Sequence, residues 1–306
     1  MRPGFTIRSR FAATLALLAL LAGCFALRAP AAAPQLARPF VPAGDATELH
    51  SISVTWIGHA TALIRIEDRW FLTDPVLGDR IGGIYPRRVA AGIERSAIPP
   101  LDAVLISHAH FDHLDVPTLR GLDRIPVVLV PRGAATFLPD DLATDEVAAL
   151  DTWGQWSRGG VTITAVPSSH GDGRYLVDRW NRDSHTSWII EYRGLTVYFA
   201  GDTGYVPAQA AAIAAGFQID VALLPVGPAG RWSWVERWRR DVHATPDDAM
   251  TLFEACGAQW MIPIHFGTFF ESPARELPYI QRAIARHPLA RRVRMLTIGE
   301  TTELLY

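Results

Sequence analysis

The stretch VLISHAHFDHLD, residues 104–115, constrains this chain more than any other. Directly behind an apolar run it places His108, His110, Asp112, His113 and Asp115 within eight positions. Imidazoles two residues apart do not share a helix face, so the spacing calls for a loop wrapped around whatever neutralises these groups. Burying several histidines and carboxylates together without a partner is costly. A cation solves that problem, and zinc accepts this mixture of nitrogen and oxygen ligands. Further along, His170 follows the run VTITAVPSS, Asp202 follows LTVYFAG, and His265 follows WMIPI. Four separate apolar runs thus end in a candidate ligand. In open α/β sheets the crevice beyond the carboxyl ends of the strands is where ligands bind, so these residues are expected to converge on one site. Five histidines and two aspartates suit two ions, the arrangement that commonly carries hydrolysis.

The remaining pattern is that of an α/β domain. SISVTWIGHATALIRIEDRWFLTDP alternates apolar residues, broken at Gly58-His59 and Glu67-Asp68, and predicts two or three strands in hairpin order. DAVLIS, IPVVLV, VTITAVP, TSWIIEY, LTVYFA, DVALLPV and WMIPI read as further short strands, and DVPTLRGL, PAQAAAIAAGF, TPDDAMTLFEACG and ELPYIQRAIARH as helices. Strands joined by helices predict an α/β fold. Asp115 is expected to cap the helix that begins at Val116-Pro117.

The N-terminus differs from the rest. Arg2, Arg8 and Arg10 precede an uncharged apolar run that ends in Leu21-Ala22-Gly23-Cys24. That order reads as a secretory signal, and the run is short for a bilayer span. Its end resembles the bacterial lipobox, which implies a lipoprotein-type signal peptide over residues 1–24 with Cys24 as a lipid-bearing membrane anchor in the cell envelope. An ordinary signal peptide, or a single anchor helix that happens to hold a cysteine, is the alternative. Residues 25–49, rich in Ala and Pro at first, read as a tether, and residues 50–306 as one catalytic domain. With Cys24 lipidated only Cys256 remains, a candidate for a small core residue. A formal net charge of -2 over 306 residues offers no basic surface for nucleic acid.

SHAHFDHLD together with PSSH, FAGDTGY and IHFGTF resembles the metallo-β-lactamase superfamily, a likeness that runs over roughly residues 52–300. Within it, WIGHATALIRI, FLTDPV, HATPDDA and IHFGTF are similar in order to the N-acyl-phosphatidylethanolamine-hydrolysing phospholipases D and their bacterial relatives. The resemblance implies an αββα sandwich, two facing β-sheets with helices outside. It implies that His108, His110 and His170 hold one Zn2+, that Asp112, His113 and His265 hold a second, and that Asp202 bridges them, with Mn2+ or Fe2+ as other occupants. A hydroxide kept ionised by the two ions would then attack phosphorus, with Asp112 and Asp202 shaping the centre and His243 near the substrate. His113 and the absence of a cysteine ligand separate the chain from the antibiotic-destroying members.

The same resemblance implies a phospholipid or small ester as substrate. A lactonase or carboxylester hydrolase, or a metal-binding envelope lipoprotein without turnover, are the alternatives, and no oligomeric state is implied. The chain departs from the family after its third motif, where Gly171 follows His170 and Ser184-His185 stand in place of the usual aromatic stretch. His59 and Asp74, at strand ends, are candidates either to orient the ligand imidazoles or to shape turns. His243 alternatively serves only to enter a helix, and His50, His185 and His287 read as surface or packing residues. In GRWSWVERWRR, residues 230–240, three tryptophans stand among four arginines. The segment reads equally as a lid for a phospholipid headgroup and as a stretch that buries its tryptophans.

Overall fold

The computed structural model describes residues 50–175, 178, 181–227, 229 and 242–306. The signal segment, the tether and the Trp/Arg stretch at 230–240 lie outside the described residues. A seven-stranded sheet is built from β1 (Ser51–Gly58), β2 (Thr61–Ile66), β3 (Arg69–Thr73), β6 (Ala103–Leu105), β7 (Val128–Pro131), β8 (Val147–Leu150) and β15 (Thr301–Leu305), in the order β15-β1-β2-β3-β6-β7-β8. A small hairpin, β4 (Arg80–Ile81) with β5 (Tyr85–Pro86), lies between β3 and β6 in the chain. The second sheet has six strands, β9 (Gln155–Arg158), β10 (Val161–Val166), β11 (Ser187–Tyr192), β12 (Leu195–Phe199), β13 (Val221–Pro225) and β14 (Trp260–Ile264), in the order β14-β13-β12-β11-β10-β9. Among the described residues four α-helices pack with these sheets: α1 (Val116–Arg120), α2 (Pro207–Gly216), α3 (Pro246–Cys256) and α4 (Pro273–Arg286). This is the αββα sandwich.

Side chains alternate between two apolar layers. In β3, β6 and β7 the residues Phe71, Ala103, Leu105 and Leu129 belong to the core shared with the second sheet, where they meet Ile163, Trp188 and Phe199. Their neighbours Leu72, Val104, Val128 and Val130 join a separate outer cluster with Leu119 of α1. Strands buried on both faces read as continuous apolar runs, which is why DAVLIS and IPVVLV stand out in the sequence. Trp188 is fully buried, its burial contributes about 1.5–3 kcal/mol, and its Nε1–H donates across the sandwich to the Ile106 carbonyl at 3.0 Å.

The two sheets are further pinned at one end. The Thr186 amide donates to Ser107 O at 2.8 Å and the His265 amide to His59 O at 2.8 Å. β3, β6, β7 and β8 are parallel, as are β12, β13 and β14. Both parallel sets therefore end where these pins lie. The strands β8, β9 and β15, the β4–β5 hairpin and the first turn of α4 were not expected from the sequence.

Candidate metal centre

The motif loop leaves β6 and turns tightly, with the amides of His113 and Leu114 both donating to His110 O at 3.1 and 2.9 Å. Asp115 then ends the loop as the cap of α1, its carboxylate accepting from the Thr118 amide at 3.1 Å. Gly201 permits the second sheet to approach: a Cβ there would stand 2.4 Å from Ser107 Cβ. Only a residue without a side chain lets Asp202 come this close to the motif.

The partners of the outer ring nitrogens fix where each imidazole presents a bare lone pair. His170 Nδ1 donates to Val242 O at 2.8 Å and His265 Nδ1 to Gly227 O at 3.0 Å; a carbonyl only accepts, so Nε2 is the free nitrogen of each ring. His113 Nδ1 donates to Asp74 Oδ2 at 2.6 Å. The Ser107 hydroxyl also donates to Asp74, and its oxygen accordingly accepts from His108 Nδ1 at 2.9 Å. Asp74 thus orients one ring directly and a second through Ser107. Such outer acceptors set tautomer and direction at metal sites.

The inward atoms form two groups. His110 Nδ1 stands 2.9 Å from His108 Nε2 and 3.0 Å from His170 Nε2. These are hydrogen-bond distances, but a single proton on His110 Nδ1 can serve only one of the two facing nitrogens at a time, whereas a tetrahedral ion with bonds near 2.0–2.1 Å, and so edges of about 3.3 Å, would engage all three. In the second group His265 Nε2 lies 3.0 Å from Asp202 Oδ1, His113 Nε2 lies 3.5 Å from Asp202 Oδ2, and Asp112 Oδ2 lies 3.8 and 4.0 Å from the same two rings. His113 Nε2, Asp202 Oδ1 and His265 Nε2 are buried and make no hydrogen bond. Ligand atoms of His59, Asp112, His113 and His265 lie within 4.8 Å of one another, as do those of His108, His110 and His170, and those of His170, Asp202 and His243. Asp202 therefore reaches both groups. The donor types, their buried orphaned atoms and their outer partners fit divalent cations.

Electrostatics differ between the groups. Burial, then the neighbouring rings, holds His108 well below the ordinary imidazole range. Burial likewise holds His170 low, against the pull of Asp202. Burial is the largest single influence on His113 and His265 and lowers both, but the carboxylates together exceed it, Asp202 with Asp74 and Asp112 at His113 and Asp202 with Asp112 at His265, and both are raised. Asp202 stays well below the usual carboxylate range because His265 and His113 overcome its desolvation.

His59 is closer to the centre than a turn residue needs to be. Its Nε2 lies 3.0 Å from Asp112 Oδ2 and its ring centroid 3.9 Å from that of His265. Its backbone is left-handed, as are those of Asp74 and His265, with φ of 55°, 35° and 66°. Left-handed non-glycine residues persist where surrounding contacts hold them, and here they mark the site. His59 N accepts no strain alone: it donates to Thr268 Oγ1 at 2.8 Å, while His59 O receives the Trp56 ring N–H at 2.9 Å.

His243 sits at the open side, its Nδ1 3.5 Å from Asp202 Oδ2 and its side chain 22% exposed. His185, expected as a surface or packing residue, packs beside the motif loop: it pairs with the His108 backbone, and its Nδ1 faces Ser168 Oγ at 2.8 Å. Ser107, and the carbonyls of Val242 and Gly227, were not anticipated. A serine beside the motif was a readable signal; a carbonyl has none. Cys256 is buried in α3 and its thiol is pushed up to about 11 by burial.

A family model described as a beta-lactamase superfamily domain matches residues 69–266. A protein of Mycobacterium tuberculosis is 36% identical over 256 residues, 80% of this chain, which spans 65% of that relative's length. N-acyl-phosphatidylethanolamine-hydrolyzing phospholipase D 1 of Caenorhabditis elegans is 30% identical over 245 residues, covering 73% of this chain and 67% of the worm protein. Among solved structures, a possible metal-dependent hydrolase from Veillonella parvula superposes with a TM-score of 0.67 at 19% identity, over 83% of this chain and 99% of that one, and shares the fold. The motif loop, the sandwich that carries it and the family match together make this chain a member of the metallo-β-lactamase superfamily.

Proposed function

We propose that this chain is a metal-dependent hydrolase of phosphodiesters, of phospholipase D type, acting on N-acyl phosphatidylethanolamine-like lipids. The observation that carries the reading is the convergence of seven side chains from both sheets into two groups joined by Asp202. The likeness to the worm phospholipase D supports the choice of substrate class. Two divalent cations, zinc by donor type, would be held by His108, His110 and His170 and by Asp112, His113 and His265; when bound they supply positive charge for a phosphoryl oxygen and acidify water.

The chain's own residues do the rest. Asp74 and Ser107 keep the lone pairs of His113 and His108 turned inward. His59 Nε2 lies 3.0 Å from Asp112 Oδ2, the oxygen that also faces His113 and His265, and so fixes that carboxylate in the mixed group. His243, with its side chain 22% exposed beside Asp202, is placed to bind the phosphodiester or to deliver a proton to the departing alkoxide. Phe111, its ring centroid 5.3 Å from that of the half-exposed Tyr175, offers an apolar surface beside the motif loop for acyl chains. By the same reading the chain is a bacterial envelope protein held to a membrane by lipid on Cys24.

The test is metal analysis of the full-length chain with hydrolysis assays on phosphodiester and lactone panels, before and after chelation. About two ions per chain are expected, with phosphodiester turnover that chelation stops and added metal restores. Turnover of lactones alone would reassign the substrate, and full activity after metal removal would refute the mechanism.

A further inference from the structure

We propose that Glu276, which no ligand pattern singles out, is a positioning residue of the metal centre: its carboxylate clamps the loops after β13 and β14 together and so sets the ring of His265. Glu276 lies in the first turn of α4 and is 1% exposed. One carboxylate oxygen accepts from the Ala229 amide at 2.7 Å and the other from the Gly267 amide. Ala229 stands four residues beyond β13, and Gly267 two residues beyond His265. Between these contacts runs the bond that orients the ligand, from His265 Nδ1 to Gly227 O at 3.0 Å.

The packing around the clamp leaves no slack. A Cβ on Gly227 would stand 2.2 Å from His265 O and 3.3 Å from Glu276 Oε1. Gly267 is similarly tight, with Pro273 of α4 2.9 Å from its Cβ position. His265 itself has φ 66°, which its surroundings must enforce. Among the described residues Glu276 makes no ion pair within bonding distance, so a buried carboxylate is retained here although burial raises its pKa against two N–H donors and His265. Two converging N–H groups explain the choice. A carboxylate accepts with both oxygens, whereas glutamine offers one acceptor and one donor, and its amide nitrogen would face an N–H. The substitution must release one loop.

The inference rests on the reading that Asp112, His113 and His265 bind a cation, and the experiment separates the two. Zinc affinities of full-length wild type, Glu276→Gln and Glu276→Asp are measured against a chromogenic chelator. The glutamine variant is expected to lose roughly tenfold or more at the His265 group, as removal of outer partners does elsewhere, while the His108–His110–His170 group keeps wild-type affinity. Equal weakening of both groups, or of neither, would overturn the proposal. Should the glutamine variant not yield soluble protein, Glu276→Asp, which keeps the charge but cannot span both loops, carries the same expectation. Imidazole-region NMR of the metal-free proteins reads the bond itself: the His265 ring N–H signal should broaden or shift in the variants while that of His170 does not. A wild type that binds no second ion would refute the reading of that group, and the NMR comparison would still decide the role of Glu276.

Discussion

The two halves of the metal centre are built from different materials. His108, His110 and His170 present three ring nitrogens, with His108 oriented by a hydroxyl and His170 by a backbone carbonyl. Asp112, His113 and His265, with His59 and Asp202 against them, present carboxylates and rings that hold protons, oriented by the buried Asp74 and by a carbonyl. An ion among the imidazoles would meet one carboxylate, the shared Asp202, while one in the mixed group would meet Asp112 as well and lose more of its charge. The difference assigns the stronger polarising role to the first half and makes Asp202 the element that lets the halves act together.

The severest test of that division is Asp202→Ala. It removes the shared carboxylate, so turnover should fall by about 10³-fold or more, and both metal affinities with it. Metal analysis beside steady-state kinetics checks this; loss at one group only would mean that Asp202 does not bridge. Asp74→Asn should weaken the mixed group by roughly 10–100-fold and the imidazole triad less, since it meets His113 directly and His108 only through Ser107. Competition titrations would show the order, and the reverse order would break it.

Proton release sharpens the comparison further. His113 and His265 are raised, so each keeps its second proton to a higher pH than an ordinary imidazole, and a cation must displace that proton. His108 and His170 are lowered and have no proton to give. Zinc affinity of the mixed group should therefore keep rising with pH over a range in which His108 and His170 have already lost their second protons. Calorimetry in buffers of unlike ionisation enthalpy reads this, and equal proton release from both groups would contradict it. The smallest expected effect lies outside both: Asp115→Ala removes the cap of α1 and should cost about 0.5–2 kcal/mol in thermal melts, with metal content unchanged.

Much of the scaffold was legible because its strands are buried on both faces and announce themselves as apolar runs. The strands that escaped are those at the margins. Gln155–Arg158 is mostly exposed and Thr301–Leu305 has a single buried residue, so neither carries a strong period. The candidate ligands stood out for a related reason, since four apolar runs lead directly into ionisable groups that a strand has no local use for. His59 and Asp74 were visible too, but their left-handed backbones were not, because the residues that hold them, Thr268 at His59 and Leu105 and Ser107 at Asp74, are distant in the chain.

By itself the sequence determined the chemistry of the donors: which residue types stand at strand ends, in what number, and hence which cations suit them. Tertiary structure alone decided their direction. A ring nitrogen becomes a ligand only when the opposite nitrogen is tied to an acceptor, and here those acceptors include the carbonyls of Val242 and Gly227 and the buried Asp74, brought in from distant parts of the chain. Every residue carries a carbonyl, so nothing in the order of side chains foretells which one will meet a given imidazole.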